Sequence, residues 1–169
     1  MKWLLILIFS FLPFLSSSQN DSTYLNIDTT SVNVDYIFIG FILDEFIYDA
    51  IEQGLDSSTV VSHIRMLDGI YMYHLDNKLG VTMCKKDTLS PNGLRGAIFI
   101  DNRLYMSYSM MKLTLYHELG HWFGLEHTNG IMRKNSKKAF KILYKWNKNV
   151  KKLMRDIKKK DYSYPKLPD

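Results

Sequence analysis

Cysteine is almost missing from this chain: Cys84 is the single thiol in 169 residues. One thiol cannot close an intrachain bridge, so a disulfide-stapled scaffold is excluded. Four prolines and nine glycines are too few for a low-complexity linker protein or a collagen. No apolar run reaches the roughly 20 residues that a membrane-spanning helix needs. Acidic residues are nearly absent from one end: residues 133–169 carry 14 Lys/Arg against 3 Asp/Glu. Residues 1–132 have the opposite bias, with 8 Lys/Arg against 14 Asp/Glu. The formal charge of +5 therefore hides two halves of opposite sign. With 46% apolar and 23% charged residues, the chain can build one core, and a single compact domain is expected.

The N-terminus reads as an address. Met1-Lys2 supplies a positive start, Trp3 to Leu15 is apolar apart from Ser10 and Pro13, and Ser16-Ser17-Ser18 offers small residues for cleavage. This is the layout of a secretory signal peptide over residues 1–18, with Gln19 as the mature start. An uncleaved N-terminal anchor is the rival reading. A secreted or periplasmic protein is expected. Residues 19–35 are polar and read as a flexible lead-in, with 36–169 as the folded domain.

Apolar residues Ile39, Ile42, Leu43, Phe46, Ile47, Ala50 and Ile51 recur at helical steps before Gly54, predicting a helix over 37–53. Its front, 36–43, also fits a short strand. Val60, Val61 and Ile64 lie in a β-rich stretch, and Ile70 to Tyr73 in another. Further strands are expected over 79–84 and 97–100, the latter closed by Asp101-Asn102, with a turn at 90–93. A second helix should run from Ser109, as N-cap, to Phe123, with Gly124 ending it. A third should start near Ser136, with Phe140, Leu143, Val150, Leu153 and Ile157 as its apolar stripe and lysines opposite. The implied class is α+β with a small sheet.

The chemistry concentrates in residues 117–127, HELGHWFGLEH. His117 and His121 are four apart, so a helix places both imidazoles on one face, close enough to share an ion. Zinc takes histidine nitrogens and prefers four tetrahedral partners. Glu118 is poised to reach a water on such an ion, as a general base does. His127 lies too far on for the same helical face. Gly124 permits the positive φ that would fold the chain back and bring His127 to the metal. Three imidazoles would leave a fourth position open, as hydrolysis requires. A structural zinc site would need a fourth protein ligand, for which Cys84 is the one thiol.

These residues resemble the metzincin clan of zinc peptidases, whose signature is HExxHxxGxxH followed by a Met-turn, matched here by Gly130-Ile131-Met132. The whole mature chain also looks like small exported bacterial metallopeptidases. The resemblance implies a metzincin-like (zincin) fold: a small twisted mixed sheet, an active-site helix, and a short lower part ending in a C-terminal helix over 136–160. It implies one catalytic Zn2+ on His117, His121 and His127, Glu118 as general base, and Met132 as an apolar floor beneath the imidazoles. It further implies a peptide substrate laid antiparallel along an edge strand near Ala97–Ile100. Two departures stand out: the link from His127 to Met132 is short, and Lys134 occupies the place where some metzincins carry a tyrosine. Tyr105, Tyr108 and Tyr116 are alternative phenolic donors near the site. A carboxylate third ligand would have to come from Asp156, Asp161 or Asp169.

The function expected is an exported zinc metallopeptidase acting on proteins or peptides. The alternative is a catalytically silent zinc-binding module that docks an anionic partner or surface through the basic C-terminal helix. Nucleic-acid binding is not expected, and a monomer is. Asp21, Asp28 or Asp35 could block the metal in a latent form. His63 and His74 read as ordinary core or surface histidines, and Cys84 as a small buried hydrophobe.

Overall fold

A computed structural model describes residues 32–34, 36–86, 94–134 and 136–160. The expected signal peptide, the candidate latency acids, the turn at 90–93 and the acids Asp161 and Asp169 lie outside them. Among the described residues, no helix is long and apolar enough to cross a membrane.

The class is α+β. Strand β1 (Asn33–Val34) is followed by helices α1 (Ile37–Glu52) and α2 (Ser57–Ile64), then strands β2 (Leu67–Tyr73), β3 (Gly80–Lys86) and β4 (Leu94–Asp101). Helices α3 (Tyr108–Trp122), α4 (Ala139–Tyr144) and α5 (Trp146–Lys158) follow in the described residues. The sheet order is β1-β2-β4-β3. The β1-β2 and β2-β4 pairs are parallel and β4-β3 is antiparallel, which makes the sheet mixed.

Helix α1 settles the ambiguity at its front: Ile39, Ile42, Leu43, Phe46, Ile47 and Ala50 are buried along one stripe. It ends at Gly54, whose φ of 77° is open to glycine without a Cβ clash. The two bonds of a Schellman cap follow, from Leu55 N to Ala50 O and from Gly54 N to Ile51 O.

Five expectations need correction. The stretch around Val60 is helical, not β. Asp56 caps it by accepting from the backbone N–H of Thr59 at 2.8 Å, and Val60, His63 and Ile64 form its buried side. The strand over 97–100 is interior, because β4 lies between β2 and β3; the outer strands are β1 and β3, and β3 is the one packed beside α3. Asn33-Val34, inside the presumed lead-in, pairs with Gly69 and Ile70. Ser107, not Ser109, caps α3. The C-terminal helix is two helices, broken at Lys145, where ψ is 34°. Asn149 holds that break by donating from Nδ2 to the carbonyls of Ile142 and Lys145. The break also turns Phe140 outward to 87% exposure, while Val150, Leu153, Met154 and Ile157 stay in the core.

Helix α3 packs on β3 and β4 and against α1. Gly96 on β4 makes this possible, since a Cβ there would run into the Trp122 ring. Trp122 donates from Nε1 to His63 O at 2.9 Å, and His63 Nε2 donates to Trp122 O at 3.1 Å. His63 is thus a core histidine, as expected, though on a helix; His74 is exposed.

Candidate metal centre

The site is built on the last two turns of α3 and the chain that leaves it. Gly124 adopts φ 78°, and the helix closes with bonds from Leu125 N to Gly120 O and from Gly124 N to His121 O. This Schellman cap reverses the chain and returns His127 to the helix face that carries His117 and His121. Nε2 of His121 lies 3.1 Å from Nε2 of His117 and 3.2 Å from Nε2 of His127. For an ion bound at 2.0–2.1 Å, a tetrahedral edge is about 3.3–3.4 Å. The group could hold a metal ion.

Tautomers sharpen this. Nδ1 of His117 lies 2.7 Å from Ile131 O, and Nδ1 of His121 lies 2.8 Å from Leu125 O. A carbonyl oxygen only accepts, so each Nδ1 carries the proton and each neutral ring presents a bare Nε2. Two lone pairs facing each other at 3.1 Å repel unless a cation lies between them. Burial pushes all three imidazoles below their ordinary pKa, and for His127 the neighbouring His121, His117 and Lys134 push the same way. The neutral form is the one that ligates metals.

The two orienting carbonyls could not be assigned from sequence. Leu125 O comes from the cap itself. Ile131 O comes from the 3-10 turn Gly130–Met132, which is closed by Thr128 N donating to Met132 O at 2.7 Å. That bond closes the short link that follows His127. Met132 is buried with its sulfur against Gly120, where a Cβ would overlap Sδ. Gly130, at φ 71°, abuts Asn149 of α5.

Glu118 is 5% exposed, facing β3. Thr82 Oγ1 lies 2.7 Å from its Oε2 and 2.9 Å from its backbone carbonyl, with one proton to give. Gly80 makes room beside Oε1; a Cβ there would approach Glu118 Cγ to 2.7 Å. Burial raises the carboxyl above its ordinary pKa, opposed chiefly by the Thr82 hydrogen bond and more weakly by the charge of Lys78. Thr82 and Gly80 were missed at the sequence level.

A cleft of about 660 Å³ opens over these groups. Residues 79–82 form one wall, and Ile131, Arg133, Lys134 and Ile142 contribute to the other side. With Lys78 also on its lining, three cations face the cleft beside the buried Glu118.

Other candidates lie elsewhere. Tyr116 OH donates to Asp49 at 2.7 Å and Tyr108 OH to Glu45 at 3.1 Å, both toward α1. No tyrosine among the described residues lines the cleft. Asp156 pairs with Lys152 on α5, and Cys84, half-buried on β3, is outside the histidine group.

No family model, curated protein or solved structure matches this chain.

Proposed function

We propose that this chain is an exported zinc-dependent metallopeptidase of metzincin-like build. The observation that carries the reading is the convergence of three Nε2 atoms, two of them bared by Nδ1 bonds to Ile131 and Leu125, beside a buried carboxylate on an open cleft. Three nitrogen donors with an accessible side suit zinc in a catalytic rather than a closed structural site. When bound, the ion supplies Lewis acidity toward a peptide carbonyl and acidifies an attacking water.

The chain's own residues do the rest. An extended peptide adds to the outer edge of β3, which brings its backbone past residues 79–82 and the histidines. Thr82 holds Glu118 Oε2, leaving Oε1, beside Gly80, to take the proton from the attacking water. Glu118 then delivers that proton to the departing amine. A raised carboxyl pKa suits both steps, because the group must accept and then release a proton near neutrality. His117 and His121 keep fixed tautomers throughout, so no ring must reorient during turnover.

The competing reading, a silent zinc-binding module, draws on the same Thr82–Glu118 bond, which engages the carboxylate in the resting state. One experiment separates them. Zinc-loaded protein is incubated with a broad peptide library beside Glu118→Ala and a chelator-treated sample. The expected result is cleavage by wild type alone, with zinc retained by Glu118→Ala. Zinc binding without turnover by wild type on the whole library would establish the silent module, and an equally active Glu118→Ala would remove the assigned base.

A further inference from the structure

We propose that the outward side of α4 is a docking face for an anionic phospholipid bilayer, anchored by Phe140 and Tyr144. Both side chains are 87% exposed, the highest values among the large hydrophobic residues described. They are four apart, so they stand one turn above each other on the same side of α4. Ala139 and Ile142, on the other side, are buried.

Lysines surround the pair. Lys137 and Lys141 are helical neighbours of Phe140, Lys141 and Lys145 flank Tyr144, and all are exposed, as is Lys148 beyond the break. Residues 133–160 hold 13 Lys/Arg and one acid, Asp156, whose carboxylate is occupied by Lys152. A lysine face alone is what any solvated helix shows. A phenyl ring left in water beside it is not explained by solvation, because phenylalanine has no polar handle. The exposed rings Phe38, Phe41 and Tyr108 at least pack on one another. Phe140 makes no ring contact among the described residues.

The combination specifies the partner. An apolar ring flanked by a phenol and by cations matches the layering of an interface, with hydrocarbon below, headgroups at the level of tyrosine, and phosphates above. Eleven of the 13 cations are lysines, compact charges that respond to a surface field rather than forks that read phosphates or bases in a fixed geometry. A bilayer is therefore favoured over a nucleic acid. Because Ile142, across the same helix, lines the cleft, docking would hold the cleft at the membrane surface.

The test is co-sedimentation of the full chain with vesicles of phosphatidylcholine alone or with about one third phosphatidylglycerol, at about 0.15 M salt. Wild type is compared with Phe140→Ser/Tyr144→Ser and with Lys141→Gln/Lys145→Gln. Any contribution from the N-terminal apolar run is common to all three proteins, so the differences carry the result. The expected outcome is binding to the anionic vesicles that each double variant weakens about 10-fold, with unchanged circular dichroism, since all four side chains are exposed. Variants within two-fold of wild type would overturn the proposal, as would no binding by wild type or equal binding to neutral vesicles. Tighter binding to a duplex oligonucleotide, lost in the same variants, would reassign the face to nucleic acid.

Discussion

The hydroxyl of Thr82, on the outer strand, lies 2.7 Å from Oε2 of Glu118, on the helix that carries two of the three histidines. A contact across 36 positions of sequence thus fixes the orientation of the carboxylate on which the proposed chemistry depends. Removing the hydroxyl should leave a buried carboxylate with one fewer donor and freer rotation.

Thr82→Val is accordingly expected to lower kcat about 10-fold while leaving zinc affinity within a factor of about three. Steady-state kinetics on a cleaved library peptide, paired with a zinc competition titration, checks both halves. An unchanged kcat would show that Glu118 needs no help from β3.

His127 is the most exposed of the three histidines and the one brought in by the chain reversal. His127→Ala should weaken zinc binding by more than about 100-fold, since loss of even an orienting partner can cost that much. Competition with a chromogenic chelator measures it. The fold should persist, because His127 lies outside the buried core.

Gly120 faces the Met132 sulfur, and Leu153 stands just behind it. Gly120→Ala is expected to destabilise the protein by about 1–3 kcal/mol, the usual cost of overfilling a packed interior. Combining it with Met132→Ala should recover part of the loss. Urea unfolding of the four proteins in this cycle gives the coupling; strict additivity would mean the two residues do not touch.

Asp101 closes β4. Its carboxylate accepts from the Arg103 side chain, from Arg103 N at 2.8 Å and from Leu75 N at 2.9 Å. The Arg103 guanidinium, chiefly, holds this carboxyl well below the usual carboxylate range. A lowered folded pKa means stability that is present above the unfolded value, about 3.9, and lost as pH falls toward the folded value. Asp101→Asn should therefore lower stability at neutral pH, and the gap to wild type should narrow as pH drops from about 5 to about 2. Urea midpoints across that range decide it; a constant gap would show that the charge on Asp101 is not what stabilises the strand end.

The histidine cluster was legible because its rules are local. Four-residue spacing sets His117 beside His121, and glycine at 124 permits the reversal, without reference to the rest of the chain. Helix α1 was legible for the same reason. The strand assigned around Val60 failed because β-branched content was weighed above Asp56 and its two following serines, which are a helix start in three letters. The order of the sheet could not be read: Leu79–Cys84 and Ala97–Ile100 look alike as strands, and only their pairing decides which is the outer one. Thr82, Gly80 and the Ile131 carbonyl stayed hidden because each acts across a long sequence gap. Phe140 was misplaced because one continuous helical period was drawn through Lys145, where Asn149 breaks it.

An outer strand with a free edge is equally a template for a second copy of itself. No described strand pairs with the far side of β3, and at its end Lys85 and Lys86 stand exposed. Two molecules meeting edge to edge in parallel would have to bring those ammonium groups together, and in antiparallel they would strip water from them against Gly80 and Val81. The lysines thus act as a doorstop against crowded siblings zipping into fibres, while the edge stays open to the short guest proposed for it.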